Sequence, residues 1–321
     1  MNIKEIKLED LSAKVFISQK AEEISSMVGD GLAVNALSGG VDSSVVTMLA
    51  HKALGNRLKS YFIDSGLMRE GEAEHIASVF KYLGVEVEII DAQKQFFDAL
   101  QEKLDPEEKR EAITQTFYAI VFAQLTQKSK AGHVLQGTNY TDIEETVAGI
   151  KRQHNIIKQL GIDPEKEYGY KIIEPLIEIR KPAIRIIGKE LGLPEELYNR
   201  PPFPGPALAA RIIGEVIPEK VEQVRKATTI VEEELCDTGA FQYLAILHND
   251  RVTGLRDGKR DYGLQIEVRC WDSEDAKTGS PTNLPFDTLD RLGKRITSEV
   301  PGVVSVTYSI TRKPPSTIEA I

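Results

Sequence analysis

The apolar run Leu32-Ala33-Val34 leads through Leu37 into Ser38-Gly39-Gly40-Val41-Asp42-Ser43-Ser44, and Val45-Val46-Thr47-Met48-Leu49-Ala50 follows at once. No other part of the chain restricts the fold as tightly. The first run reads as a buried strand and the last as the start of a helix, and two glycines between them allow backbone dihedrals closed to other residues. A strand-to-helix turn presents N–H groups without intrahelical partners at the positive end of a helix dipole, which is a ready anion site. The hydroxyls of Ser38, Ser43 and Ser44 add donors for phosphate oxygens. Asp42 is an odd choice for an anion cradle unless it holds a metal ion or caps the helix. The spacing is neither that of the Walker loop, which carries a Lys after its last glycine, nor that of G-x-G-x-x-G. A bare Ser-Gly-Gly could serve a turn and nothing more. The full stretch behind a buried strand favours a loop that binds pyrophosphate.

The following segments keep the rhythm of a doubly wound parallel sheet. An amphipathic helix over 10–28 precedes the strand at 32–37, and the helix after the loop ends near Gly55. Leu58 to Ile63 is a second strand ending in Asp64-Ser65-Gly66, a helix over 70–83 closes at Gly84, and Val85 to Ile90 alternates as a third strand. Strand and helix in turn predict an α/β fold, with ligands at the carboxyl ends of the strands, where Ser38–Ser44 and Asp64–Arg69 fall. A long helix is expected from Asp105 to Gln127, then a strand His133–Gln136 tipped by Gly137-Thr138, and a charged, loop-rich stretch over 140–160. A short strand Ile172–Leu176 and a helix over 181–191 follow. Pro201-Pro202-Phe203-Pro204-Gly205-Pro206 is too rich in proline for a helix or a central strand and reads as a domain joint. Beyond it, helices at 219–235 and 286–299 and alternating segments at 241–247, 263–269 and 303–310 predict a smaller α+β domain. The expected division is therefore 1–200 and 201–321.

Composition removes several classes. A chain of 321 residues has room for two domains, and a net charge of -9 argues against general nucleic-acid binding, which needs clustered Lys and Arg. No apolar run reaches membrane-spanning length, and Met1-Asn2-Ile3-Lys4-Glu5 lacks the apolar core of a signal peptide. Cys236 and Cys270 are far apart and form no CxxC, so neither a zinc site nor a disulfide framework is indicated. A cytoplasmic enzyme is the expected class.

The stretch Leu37–Ser44 resembles the PP-loop of the ATP pyrophosphatases, and the resemblance extends over roughly residues 20–319 to the ATP-pyrophosphatase part of GMP synthetase. It is carried by Ile63-Asp64-Ser65-Gly66-Leu67-Met68-Arg69, Asp105-Pro106-Glu107-Glu108-Lys109-Arg110, Gln136-Gly137-Thr138 and Glu174-Pro175-Leu176. It continues through Pro202-Phe203-Pro204-Gly205-Pro206, Arg211-Ile212-Ile213-Gly214-Glu215, Glu299-Val300-Pro301-Gly302-Val303 and Lys313-Pro314-Pro315-Ser316-Thr317-Ile318-Glu319. The resemblance implies that ATP adenylates the C2 oxygen of XMP, that pyrophosphate leaves on Mg2+, and that ammonia displaces AMP to give GMP. It implies Ser38, Gly39, Gly40, Val41, Asp42, Ser43, Ser44 and Gly137 as the pyrophosphate cradle, with Asp42 and Asp142 as metal candidates. Lys151 and Lys181 are the implied cations on the leaving group, although a lysine on a solvated loop needs no such role. Glu145 shares with Asp142 an acidic run that could equally be plain surface. The segment Phe62–Leu67, Asp64 included, would hold adenosine, and Arg312, Lys313, Ile318 and Glu319 would meet the acceptor. The C-terminal region implies a homodimer. A nucleophilic Cys of the glutaminase kind is missing from the first half, so ammonia would come free or from a separate glutaminase subunit.

Departures from the family pattern fall on the acceptor side. Ser305 stands where the family has an arginine and Ser309 where it has an aspartate. Lys151-Arg152-Gln153-His154-Asn155 lacks one histidine of the family's K-[ST]-H-H-N, and the chain ends Ala320-Ile321 rather than Trp-Glu. Three readings stay open: amination of XMP, the same chemistry on another acceptor, and a non-catalytic scaffold.

Overall fold

The computed structural model describes residues 3–118, 123–147, 169–200, 203–256, 258–274 and 278–320. Residues 151–155, with Lys151, Arg152 and Gln153, lie outside the described residues, as does the Glu145 side chain. The chain gathers into two compact units. One comprises 1–64, 72–92 and 114–200, and the other 65–71, 93–113 and 201–321.

The first unit is built on a parallel sheet of β1 (Ala33–Leu37), β2 (Leu58–Asp64), β3 (Val87–Asp91), β4 (His133–Leu135) and β5 (Lys171–Ile173), in the order β3-β2-β1-β4-β5. β1, at the centre, is almost wholly buried, as a strand covered on both faces requires. β3, at the edge, has no buried residue, and Glu88, Ile89 and Asp91 are exposed. Helix α1 (Ala13–Val28) packs against α2 (Val41–Leu54), and α3 (Glu72–Tyr82) packs on β2 and β3.

Two expectations need correction here. Helix α4 spans Gln93–Leu100, and the helix expected over 105–127 is interrupted: α5 (Pro106–Gln115) passes into a π turn at 116–118, and α6 runs Ala123–Ser129. Thr114, Thr116, Phe117 and Tyr118 are β-branched or aromatic and lose side-chain freedom in a helix, so propensity is weak there. The charged stretch after 140 opens as helix α7 (Tyr140–Val147). The Asn139 side chain accepts from the Thr141 and Asp142 N–H groups, and Asp142 accepts from the Asn139 N–H. That reciprocal cap starts a helix despite the charge. Helix α8 (Lys181–Glu190) and the single turn α9 (Glu195–Tyr198) complete the first unit.

In the second unit, α10 (Pro218–Leu235) packs on the hairpin of β6 (Gln242–Arg256) and β7 (Lys259–Asp272). The alternating segments 241–247 and 263–269 are thus only part of two long strands. A register shift between Leu247 and Arg251 and the polar His248-Asn249-Asp250 break the alternation. β8 (Ser280–Pro281) pairs antiparallel with β7, β9 (Val303–Tyr308) pairs parallel with it, and α11 (Phe286–Glu299) covers β9. Leu244, Ile246, Trp271 and Ile318 form a buried cluster in this unit.

Candidate active site

In the first unit, β1 lies between β2 and β4, so the connections leave it in opposite directions. An open α/β sheet has its ligand crevice at such a switch point, outside the carboxyl ends of the strands. The loop Ser38–Gly40 leaves the carboxyl end of β1, and Gly137 follows β4 closely.

The loop is ordered by its own hydrogen bonds. The Gly40 carbonyl accepts from the Ser43 hydroxyl (3.0 Å), the Ser44 hydroxyl (2.9 Å) and the Ser44 N–H (3.1 Å). The Ser43 hydroxyl accepts from the Ser38 N–H at 3.2 Å and lies 3.1 Å from the Ser38 hydroxyl. Ser44 is fully buried and turned inward, so it builds the loop, whereas Ser38 and Ser43 face one another across it. Val41 begins α2, and the first-turn N–H groups have no preceding helical carbonyl to accept them.

Gly137 comes very close to that turn. A Cβ there would lie 3.1 Å from the Asp42 Cβ and 3.2 Å from both the Asp42 carbonyl carbon and the Ser43 nitrogen. A side chain there would have to push the Asp42–Ser43 backbone back by a few tenths of an ångström, so glycine suits this close approach. Beside it, the Asn139 amide donates to Asp42 Oδ2 at 3.4 Å, and Lys181, at the start of α8, places its ammonium 4.0 Å from the same oxygen. Asp42, Gly137 and Lys181, separate in sequence, therefore meet at one end of the sheet. Asp142 is engaged in the α7 cap, with Asn139 standing between it and Asp42. Among the described residues no three His, Cys, Asp or Glu side chains converge as a metal site. Asp64 ends β2, and its carbonyl accepts from the Ala92 N–H at 2.9 Å. Phe62–Asp64 belong to the first unit and Ser65–Leu67 to the second.

The second unit has a cavity of its own, at the base of the C-terminal tail. A cavity of about 900 Å³ is lined by Phe241, Asp272, Ser273, Thr278, Arg312 and Lys313, among others. The backbone of Lys313 exchanges two 3.0 Å hydrogen bonds with Gly279, which ties the tail to the cavity wall. Farther along, Ile318 is buried against Leu244, Ile246 and Trp271. The Glu319 carboxylate accepts from the Gln242 amide at 2.6 Å and stands 3.5 Å from the buried Arg211 guanidinium, which lies over the Phe203 ring. Arg269 donates to the Thr317 carbonyl at 2.8 Å and to that of Ile318 at 3.2 Å. Burial raises the Glu267 carboxyl, but hydrogen bonds from Arg269 and His248 outweigh it and hold the group below the usual range. The charge that orients Arg269 on the tail thus stays in place. Ser305 on β9 takes a hydrogen bond from Gln265 at 3.2 Å.

Sequence reasoning missed Asn139, Arg200 and Glu72 near the loop and Gln242 and Arg269 around the tail, and it named Arg211 within a family segment without giving it a role. Asn139 carried a signal, since an Asn followed three residues on by Asp is a capping pattern. The others are single charged or amide residues in ordinary contexts, and nothing local marks them.

The family model described as GMP synthase C terminal domain matches residues 229–320, and the one described as Asparagine synthase matches residues 25–138. A protein of Archaeoglobus fulgidus, named as one subunit of a glutamine-hydrolyzing GMP synthase, is 47% identical over 309 residues, covering 96% of this chain and 99% of its own. Proteins of the same name from Pyrococcus furiosus and Methanocaldococcus jannaschii are 45% and 43% identical, each over 95% of this chain and over 96% and 98% of their own lengths.

Proposed function

The chain belongs to the family of these GMP synthase subunits, and from that membership we propose that it catalyses the ATP-dependent amination of XMP to GMP, with release of AMP and pyrophosphate. The observation that carries this reading is the loop Ser38–Ser44 at the switch point of the sheet, closed by Gly137 and flanked by Lys181. Charge grows on the pyrophosphate as the bond to the α-phosphorus breaks. Loop N–H groups and the α2 dipole, already oriented, would stabilise it without reorganisation. Lys181, its side chain more than half exposed, can follow the leaving group as a mobile point charge, and Lys151 would be a second such cation. Asp64, at the end of β2, would lie against the nucleoside.

Magnesium fits the residues present. One carboxylate at the loop, Asp42, is the number such an ion needs when phosphates and water supply the rest, and Asp142 would be a more distant contributor. The ion, when bound, would neutralise phosphate charge.

The acceptor would occupy the cavity of the second unit, where Arg312 and Lys313 supply adjacent cations for its phosphate. Glu319, held by Gln242 and Arg211, would contact the same ligand through the tail that Ile318 anchors. Ammonia would arrive free or from a separate glutaminase subunit, which accords with the relatives being named as one subunit of a glutamine-hydrolyzing enzyme. A homodimer formed by the C-terminal region and a cytoplasmic location complete the reading. Among the described residues no helix is long and apolar enough to cross a membrane.

The deciding experiment is to follow AMP and pyrophosphate from Mg·ATP and ammonium, with and without XMP. XMP-dependent formation of GMP is expected. ATP binding without XMP turnover would move the acceptor to another compound, and the lack of pyrophosphate–ATP exchange with any acceptor supplied would end the enzymatic reading.

A further inference from the structure

Arg200, the last residue of the first unit, lies against the phosphate loop without belonging to it. Both its terminal nitrogens meet the carboxylate of Glu72 at the start of α3: Nη1 meets Oε1, and Nη2 reaches Oε2 at 2.7 Å. The Glu72 side chain is 2% exposed and that of Arg200 21%. The same Nη1 also donates to the Gly39 carbonyl at 3.4 Å. A buried ion pair is a poor source of stability, because desolvating two charges offsets most of their attraction. What a two-pronged Arg–carboxylate contact supplies is fixed geometry.

That geometry bears on one peptide group. The Gly39–Gly40 peptide is planar and trans, so a Gly39 carbonyl turned toward Arg200 sends the Gly40 N–H the opposite way. The next carbonyl, that of Gly40, is already held by Ser43 and Ser44. Gly39 has a φ of +74°, and a Cβ on it would collide with the Glu72 carboxylate. The Gly40 N–H has no hydrogen-bond partner among the described residues. It is the last donor before the open first turn of α2.

We propose that the Arg200–Glu72 pair is a positioning device for the reaction: it clamps the Gly39 carbonyl and thereby aims the Gly40 N–H at the pyrophosphate group of ATP. The pair makes no contact with the phosphates itself. This rests on the reading of Ser38–Ser44 as the phosphate loop.

The test compares wild type with Glu72→Gln and with the double variant Arg200→Met/Glu72→Met, in which both charges leave together and neither remains buried alone. Binding of inorganic pyrophosphate with magnesium is measured by calorimetry, the Gly40 amide resonance is followed in glycine-labelled protein, and Tm and the KM values for ATP and XMP are recorded. Expected are a loss of about tenfold to a hundredfold in pyrophosphate affinity for the double variant, a smaller Gly40 shift on binding, and an XMP KM within about twofold of wild type. Glu72→Gln keeps a partner for the guanidinium and is expected to bind within about threefold of wild type. A double variant that melts lower yet binds pyrophosphate as wild type does makes the pair merely structural and overturns the proposal. So does tighter binding by Glu72→Gln, which would show that Glu72 holds Arg200 back from the phosphates. Wild-type protein that binds neither pyrophosphate nor ATP would instead remove the loop reading, and this inference with it.

Discussion

At the scale of single residues, the loop divides its labour between groups that hold its shape and groups left for a ligand. Ser44 is spent on the Gly40 carbonyl, while Asp42 stands beside Asn139 and Lys181 where a cation or a phosphate would come. Replacing Asp42 by Ala is expected to reduce pyrophosphate release at least ~100-fold. The fold should survive, since an acid in the first helical turn contributes only about 0.3–1 kcal/mol. Pyrophosphate formation and a thermal melt on the same sample check both halves, and near-normal turnover would remove the loop assignment. Gly137→Ala should act differently. Its Cβ would press on the backbone at Asp42 and Ser43, which has little room to move. A stability loss of about 1–3 kcal/mol is expected, with a raised KM for ATP and an unchanged KM for the acceptor.

At the scale of elements, α5 carries an instructive conflict. Lys109 is buried, its ammonium donating to the Ile212 carbonyl at 2.9 Å. Burial pulls its pKa down to about 8, with the charge of Lys220 adding and that of Asp105 opposing. Below that value the side chain is charged in both folded and unfolded chains, and the full cost of the buried charge is present. Between about 8 and the ordinary value of 10.5, the folded protein has released a proton that the unfolded chain still holds. Stability should therefore rise with pH across that window. Relative to Lys109→Met, which has no proton to lose, the wild type should gain at most about 1.4 kcal/mol per pH unit. Denaturant unfolding of both proteins from pH 7.5 to 10.5 measures it, and parallel profiles would mean that Lys109 stays charged.

At the scale of the whole molecule, each unit is discontinuous in sequence, with 65–71 and 93–113 joining the C-terminal 121 residues. The tail is part of the second unit's core, not an appendage. Ile318 lies in the Trp271 cluster, so Ile318→Ala should cost about 2–4 kcal/mol. Removing 313–321 would therefore mix a binding effect with a folding one. Glu319→Gln separates them: the KM for XMP should rise about tenfold or more, since charge-assisted hydrogen bonds outweigh neutral ones, while the KM for ATP stays put. Equal changes in both constants would contradict the assignment of Glu319 to the acceptor.

The sheet is legible from the residues alone, because a buried strand running into Ser-Gly-Gly and then a helix has few alternatives, and each later strand-helix pair repeats the pattern. The loop proposed to hold phosphate was legible as well, since turn dihedrals, helix polarity and hydroxyls are all local properties. The break at 116–118 and the capped helix at 140 were harder to read, because a few weak helix formers hardly show within a long helical stretch, and charge speaks against a helix that a single Asn starts. Which distant side chains meet is settled only once the chain has folded. Arg200 reaches Glu72 across 128 positions, Asn139 reaches Asp42 across 97, and Gln242 reaches Glu319 across 77. Such meetings leave no periodicity in a chain. They depend on where strand ends and loops come to rest, and that is set by the sum of buried contacts rather than by any stretch of residues.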